Sequence, residues 1–213
     1  MSNIKLYDHI ESQNGYKVRL ALSNLKVDYE FIQLDLMGGE HKKDWVLKLN
    51  PNGKIPTLVD DGYAIWESNA ILLYLGRKFV PQESSNNLIP QDLKKLGMML
   101  EWMFFETSTL QTAIQPARFI HIFIPPEKRD QNSLNKLIEK SKNALQIVDN
   151  YLAKHEYLAI DYSMADISCY GQIYTTPEIG ISLSEYKNIQ AWQKRVEAQP
   201  GYVEMRTKQL VGK

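Results

Sequence analysis

Asn50-Pro51-Asn52-Gly53-Lys54-Ile55-Pro56-Thr57-Leu58-Val59, followed after Asp60-Asp61-Gly62 by Tyr63-Ala64-Ile65-Trp66-Glu67-Ser68, decides how the first part of this chain folds. Proline has no N–H to give to a ladder, so Pro56 belongs at a strand start or on an edge. The run 57–59 is β-rich and stops at the turn dipeptide Asp61-Gly62, and 63–66 reads as a second strand. Ser68 then serves as an N-cap for a helix over 69–79. An X-Pro bond at a strand start is a place where a cis bond occurs, and it turns the preceding backbone outward, where a ligand can pair with it. The helix start offers unpaired N–H groups and a positive dipole to an anion. A peptide-pairing edge and an anion hole so close in sequence suggest a small, acidic, peptide-like ligand.

Working outward, the pattern splits near residue 80. Before it the order is β-α-β, then ββα: a strand over 5–7, a helix over 14–25 with Val18, Leu22 and Leu25 at helical spacing, and a strand over 29–36. A connection follows, with a short helix near 45–49. Polar residues over 81–90 read as a linker. After it the patterns are helical only. One helix starts at about Leu93 and carries Leu96, Met99, Leu100 and Met103 on one face; Pro116 predicts a kink in it and Pro125-Pro126 its end. A second holds Leu134, Leu137, Ile138, Leu145, Val148 and Leu152 and ends near His155. Ser163 with Asp166 three residues later forms a capping box, which makes Asp166 structural. The expected architecture is an α/β domain (βαβ-ββα) over 1–80, a linker over 81–92 and an all-α domain over 93–213.

Composition narrows the class. Hydrophobic residues make up 44% and charged residues 23% of the 213, as in globular chains generally. Lys+Arg and Asp+Glu are both 25, so no basic field for nucleic acid is expected. No apolar run approaches the roughly 20 residues that span a bilayer, and the first residues lack the apolar core of a signal peptide. The single Cys169 makes no intrachain disulfide, which fits a reducing cytoplasm. No metal is expected.

The residues from Lys54 to Ser68 resemble the glutathione-binding half of cytosolic glutathione transferases, and the resemblance extends over nearly the whole chain. It implies a thioredoxin-like first domain in which Ile55, before Pro56, pairs with the cysteinyl backbone of glutathione. It also implies that Glu67 and Ser68 hold the α-amino and α-carboxylate groups of the γ-glutamyl end, while Lys54 and His41 face the glycyl carboxylate. A two-fold homodimer follows from the same resemblance. So does a second-substrate groove walled by the first helix of the helical domain, where Glu101, Trp102, Phe105, Glu106 and Arg118 lie. Helical geometry cannot bury all of Trp102-Met103-Phe104-Phe105 on one side.

Glutathione's thiol has a cysteine-like pKa near ~8.5, and the thiolate is the nucleophile. Lowering that pKa by about 2 units takes roughly 2.7 kcal/mol, which one or two hydrogen bonds to the anion and a helix N-terminus supply. The turn Glu11-Ser12-Gln13-Asn14-Gly15-Tyr16-Lys17 is the place for them. Ser12-Gln13 resembles the theta-type serine turn, and Ser12-Gln13-Asn14-Gly15 partly resembles the Thr-Pro-Asn-Gly turn of the nu-type and yeast prion-like members. Ser12 ranks first as thiol activator, Asn14 second and Tyr7, in the first strand, third. Each has a plainer reading: Ser and Asn are common N-caps, and Glu67 suits any helix start. The implied partners are glutathione as co-substrate and a small hydrophobic electrophile or a disulfide. Three functions follow: transfer of glutathione to the electrophile, glutathione-dependent disulfide or peroxide reduction, and non-catalytic ligand carriage or regulation.

Overall fold

The computed structural model describes residues 3–79 and 88–207. The chain forms two compact units, one of residues 1–87 with 199–213 and one of residues 88–198. The linker expected over 81–92 lies, through residue 87, outside the described residues. Beyond it Leu88 and Ile89 are buried, and Asp92 caps the next helix by accepting from the N–H groups of Lys94 (3.0 Å) and Lys95 (2.9 Å).

In the first unit the order is β1 (Ile4–Asp8), α1 (Gln13–Asn24), β2 (Glu30–Gln33), a short α2 (Asp44–Leu47), β3 (Thr57–Asp60), β4 (Tyr63–Trp66) and α3 (Ser68–Phe79). The sheet runs β2-β1-β3-β4, with β1 parallel to β2 and β3 antiparallel to both neighbours. This is the mixed thioredoxin-like sheet expected. β2 is shorter than the expected 29–36, because β1 ends at Asp8 and Leu34 N makes the last bond, 2.8 Å to Asp8 O. The β3–β4 hairpin turns at Asp61 and Gly62, both at positive φ (47° and 89°), as a type I′ turn requires. α1 and α3 pack together, and Val18, Leu22, Ile71, Leu72 and Leu75 join Ile4, Leu6 and Leu58 of the sheet in one core. At about 1.5–3 kcal/mol per buried aliphatic side chain, this packing outweighs any single cap in holding α3.

The chain from Gln199 returns to the first unit. Gly201, at φ 87°, passes so close to α1 that a Cβ would stand 2.6 Å from Ser23 O. The Tyr16 hydroxyl donates to Val203 O (2.8 Å), and Arg206 grips Glu11 through Nε–Oε1 (2.7 Å) and Nη2–Oε2 (2.6 Å).

The second unit holds α4 (Leu93–Phe105), α5 (Gln111–Phe123), α6 (Gln131–Leu152), α7 (Met164–Ile173) and α8 (Lys187–Glu197). Every residue of α7 is buried, as befits a central helix. The break expected at Pro116 lies earlier. A π turn over Glu106–Leu110 separates α4 from α5, and Pro116 sits inside α5. The wide turn disturbs the i→i−4 ladder, and two threonine hydroxyls donate back into the helix around it. Thr107 Oγ1 donates to Met103 O (3.1 Å) and Thr112 Oγ1 to Ser108 O (2.8 Å). Among the described residues no helix is long and apolar enough to cross a membrane.

Candidate functional site

Thr57 is the hinge of the site. It pairs with Tyr7 of β1 on one side and with Trp66 of β4 on the other. One end of the sheet therefore collects three chain segments: the turn leaving β1 toward α1, Ile55-Pro56 entering β3, and Glu67-Ser68 leaving β4. The Ile55–Pro56 bond is cis, with Pro56 buried and Ile55 half-buried. Asn50 fixes the loop ahead of it. Its Nδ2 donates to Lys54 O (2.7 Å) and Thr57 Oγ1 (3.1 Å), and its Oδ1 accepts from Asn52 N (3.0 Å). The Asn-Pro-Asn-Gly spelling signals such an Asx turn, a role the sequence reading left unassigned.

Ser12 is the N-cap of α1, its Oγ accepting from Gly15 N at 3.0 Å. The same hydroxyl is bonded to the carboxylate of Asp8. Asp8 is fully buried beneath the first turn of α1, so close that a Cβ at Gly15 would stand 1.7 Å from its Oδ2. Only glycine admits this approach. Arg19, also fully buried, pairs with Asp8 and donates from Nη2 to Ile10 O (2.9 Å) and Met205 O (3.1 Å). Burial pushes the Asp8 carboxyl up to about 7, against the pull of Arg19 and the bonds from the His9 backbone and Ser12. Asn14 lies half-buried on the first turn of α1. Tyr7, the third-ranked candidate, is half-buried and leans on Trp45, ring centroids 5.9 Å apart.

At the other helix the expectation needs correcting. Ser68 is not the N-cap; it is the first residue of α3. Glu67 O accepts the first helical bond, from Ile71 N at 2.9 Å, and Glu67 itself is held at φ 71°. That left-handed backbone turns β4 into α3 one residue earlier than the Ser signature indicates. A non-glycine residue held there costs about 1–3 kcal/mol and persists only where its surroundings over-determine it, as at ligand clamps. The Ser68 hydroxyl, released from capping, accepts from Lys17 Nζ of α1 at 3.3 Å, with Lys17 fully buried.

His41 sits half-buried in a single 3₁₀ turn, Glu40–Lys42, with its Nδ1 shielded from solvent; Lys54 is exposed. Their loops meet through Lys42, whose Nζ donates to Asn52 O at 3.3 Å. In the second unit Trp102 and Met103 are buried while Phe104 is 70% exposed, and Phe105 packs edge-on against Trp102. Glu106 and Arg118 are both internal: Glu106 accepts from Ser168 Oγ (3.1 Å), and Arg118 pairs with Glu178 (2.7 Å). Cys169 is buried against Trp102 O.

Sequence reasoning passed over Asp8, Lys17 and Arg19. The available signals were a glycine on the first turn of α1 and two cations interleaved with Tyr16, Val18 and Leu20.

Comparison with known proteins bears on the family and the fold. Residues 2–77 match the glutathione S-transferase N-terminal domain, and residues 114–200 match its C-terminal domain. A probable glutathione S-transferase GSTF2 of Oryza sativa subsp. japonica is 32% identical over 210 residues, spanning 94% of both chains. The crystal structure of a glutathione S-transferase from Pseudomonas fluorescens is 36% identical, with a TM-score of 0.87 over 96% of this chain and 99% of that one. The glutathione transferase URE2P6 of Phanerochaete chrysosporium, solved with oxidized glutathione, is 28% identical, with a TM-score of 0.86 over 94% and 93%. With the mixed four-stranded sheet, the cis-proline and both domains matched in order, the chain belongs to the glutathione S-transferase family.

Proposed function

We propose that this protein is a glutathione transferase that binds glutathione at the end of the sheet gathered by Thr57 and stabilises its thiolate for attack on a hydrophobic electrophile. The observation that carries the reading is the double pairing of Thr57, which draws Ser12-Asn14, Ile55-Pro56 and Glu67-Ser68 together. In this reading the Ile55 backbone takes the cysteinyl unit, Glu67 and Ser68 the γ-glutamyl end, and His41 with Lys54 the glycyl carboxylate. Ser12 donates to sulfur, with Asn14 as second donor. Binding favours loss of the thiol proton to solvent. The thiolate then forms the carbon–sulfur bond as the leaving group departs with its electron pair, and no bond to the enzyme is made. A cytoplasmic homodimer belongs to the same proposal.

The test is thiolate absorbance of bound glutathione against pH, on the parent, Ser12→Ala and Asn14→Ala. The parent is expected to ionise the thiol well below ~8.5. Ser12→Ala should restore the free value and lose about 10- to 100-fold in kcat/KM for conjugation. An equal or larger loss in Asn14→Ala overturns the assignment to Ser12. Glutathione bound with an unshifted thiol would indicate a carrier.

A second reading has one specific support, the bond between Ser12 and Asp8, which commits the serine proton inward. Asn14 then becomes the main donor, and the chemistry is disulfide reduction. The glutathione thiolate attacks a disulfide sulfur and releases one thiol. A second glutathione attacks the mixed disulfide, freeing the other thiol and leaving oxidized glutathione.

Glu67 provides a separate check. A left-handed φ costs an L-residue about 1–2 kcal/mol, and glycine relieves that at the expense of a floppier unfolded chain. Glu67→Gly is therefore expected to melt within the equivalent of about 1 kcal/mol of the parent. Its glutathione affinity, read by calorimetry, should nevertheless fall. Lost stability with unchanged affinity would make Glu67 a structural carboxylate.

A further inference from the structure

Asp8 closes β1 beneath the first turn of α1, so near that a Cβ on Gly15 would stand 1.7 and 2.0 Å from its two carboxylate oxygens. The Ser12 hydroxyl is bonded to that carboxylate. Arg19 of α1 pairs with Asp8, the His9 N–H donates to it from the turn, and Tyr29, ahead of β2, feels its charge while burial keeps the phenol neutral. Glu11 in the same turn is held by Arg206. β2 and β3 bring their carboxylates, Glu30 and Asp60, to the far end of β1, opposite Lys5 and Ile4. A hydroxyl oxygen has two lone pairs and one hydrogen. In Ser12 the Gly15 N–H takes one lone pair, at 3.0 Å. What Asp8 takes depends on its own proton. A carboxylate can only accept, so it draws the serine hydrogen inward; a carboxylic acid can donate to the second lone pair, which leaves that hydrogen for a group outside. Burial pushes the carboxyl up to about 7, so both forms exist around neutral pH. A bound anion selects between them. In the glutathione reading sulfur sits at the start of α1, and an ionised Asp8 already sets a like charge at that end of the helix.

We infer that Asp8 is a positioning residue for thiol activation: protonated, it turns the Ser12 hydrogen toward the sulfur of glutathione; ionised, it turns that hydrogen inward and leaves sulfur to Asn14. The inference rests on the glutathione reading above and deepens it, because the two readings of the turn become two protonation states of one site. Asp8 acts through Ser12 and makes no contact of its own with glutathione. Below neutral pH, where a thiol ionises least, the serine donor is fully available; above it the donor is withdrawn.

The probe is glutathionesulfonate, whose sulfur group stays anionic throughout and so removes the titration of the thiol from the measurement. Its affinity for the parent and for Ser12→Ala is read by calorimetry between pH 5.5 and pH 8.5, with thermal melting at each pH to confirm that both are folded. At pH 5.5 the parent should bind tighter than Ser12→Ala by about 10-fold, the effect of one hydrogen bond to a charged group. At pH 8.5 the two should agree within about twofold, with the change centred near the Asp8 titration. A parent-to-variant ratio that is flat, or that grows with pH, would overturn the inference and leave Asp8 a partner of Arg19 only, with the glutathione reading intact. The same comparison in a background of Asp8→Asn with Arg19→Met supplies a control. Its amide donates to Ser12 at every pH, so the serine advantage should keep its acid value throughout. An advantage that still titrates there would assign the effect to another group. If the double variant does not fold, the parent comparison decides alone. A parent that binds glutathionesulfonate at no pH would overturn the glutathione reading and this inference with it.

Discussion

Arg19→Met is expected to destabilise the protein by about 3–5 kcal/mol at pH 8, the usual cost of stranding one half of a buried ion pair. Arg19 and Asp8 are both fully enclosed, and Arg19 also donates to Ile10 O and Met205 O, so one guanidinium ties β1, the turn before α1 and the returning C-terminal segment together. Asp8→Asn should cost a similar amount, since it leaves the cation stranded. The double variant should fall short of the sum by several kcal/mol, because neither charge remains to be desolvated. pH gives a second handle. The folded carboxyl titrates near 7, above its ordinary 3.8, so the folded state binds more protons than the unfolded state between those values. The stability attached to this group is thus fully present below the unfolded value and is lost as pH rises through 7. Arg19 offsets that loss in the parent. Without it the loss is exposed, so the Arg19→Met penalty should shrink on acidification from pH 8 to pH 5. Urea titrations of the four proteins at both pH values measure all of this, and additive single costs would mean that the pair is not coupled.

The framework of the site was readable because its signals are local. Pro56 needs a strand start, Asp61-Gly62 needs a type I′ turn, and a helix must follow Trp66; the resemblance then adds the turn after the first strand to the candidate site. What escaped reading depends on groups that meet through space. Nothing in the spacing shows that Asp8 lies beneath Gly15, because the carboxylate and the glycine come from different elements. Nothing in the spacing marks Lys17 as buried either, because α1 is enclosed on almost every side and periodicity carries no information about which of its residues are wet. Ser68 carries the chemical signature of an N-cap and does other work, since a strained Glu67 begins the helix before it. In the helical unit Pro116 was the visible breaker, but a proline inside a helix needs only its lost bond compensated. The π turn at Glu106–Leu110 has no breaker residue at all, only threonine hydroxyls that donate to carbonyls four residues back.

The capping box was legible, and it supports the second large prediction: Asp166→Ala should cost about 3–5 kcal/mol. Four donors converge on this fully buried carboxylate. Oδ1 accepts from Leu158 N (3.0 Å) and Trp192 Nε1 (2.8 Å), and Oδ2 accepts from Ser163 N (2.9 Å) and Ser163 Oγ (3.2 Å). Sequence spacing reveals only the Ser163 half. Trp192 comes from α8, which packs on α7, so one carboxylate caps the central helix and fastens the last one to it. Alanine leaves three N–H groups without this acceptor inside the unit, each worth about 1–3 kcal/mol when stranded. Burial raises the Asp166 carboxyl to about 6 despite those four bonds. The stability attached to its titration is therefore present below 3.8 and declines as pH climbs through 6. Asp166→Asn removes that pH dependence and retains one acceptor oxygen, so it should cost less than alanine, and its penalty against the parent should be larger at pH 5 than at pH 8. Because Trp192 reports on its own hydrogen bond, its fluorescence should change in Asp166→Ala under native conditions, before any denaturant is added. An alanine variant as stable as the parent, with unaltered tryptophan emission, would show that the helical unit is held by apolar packing alone.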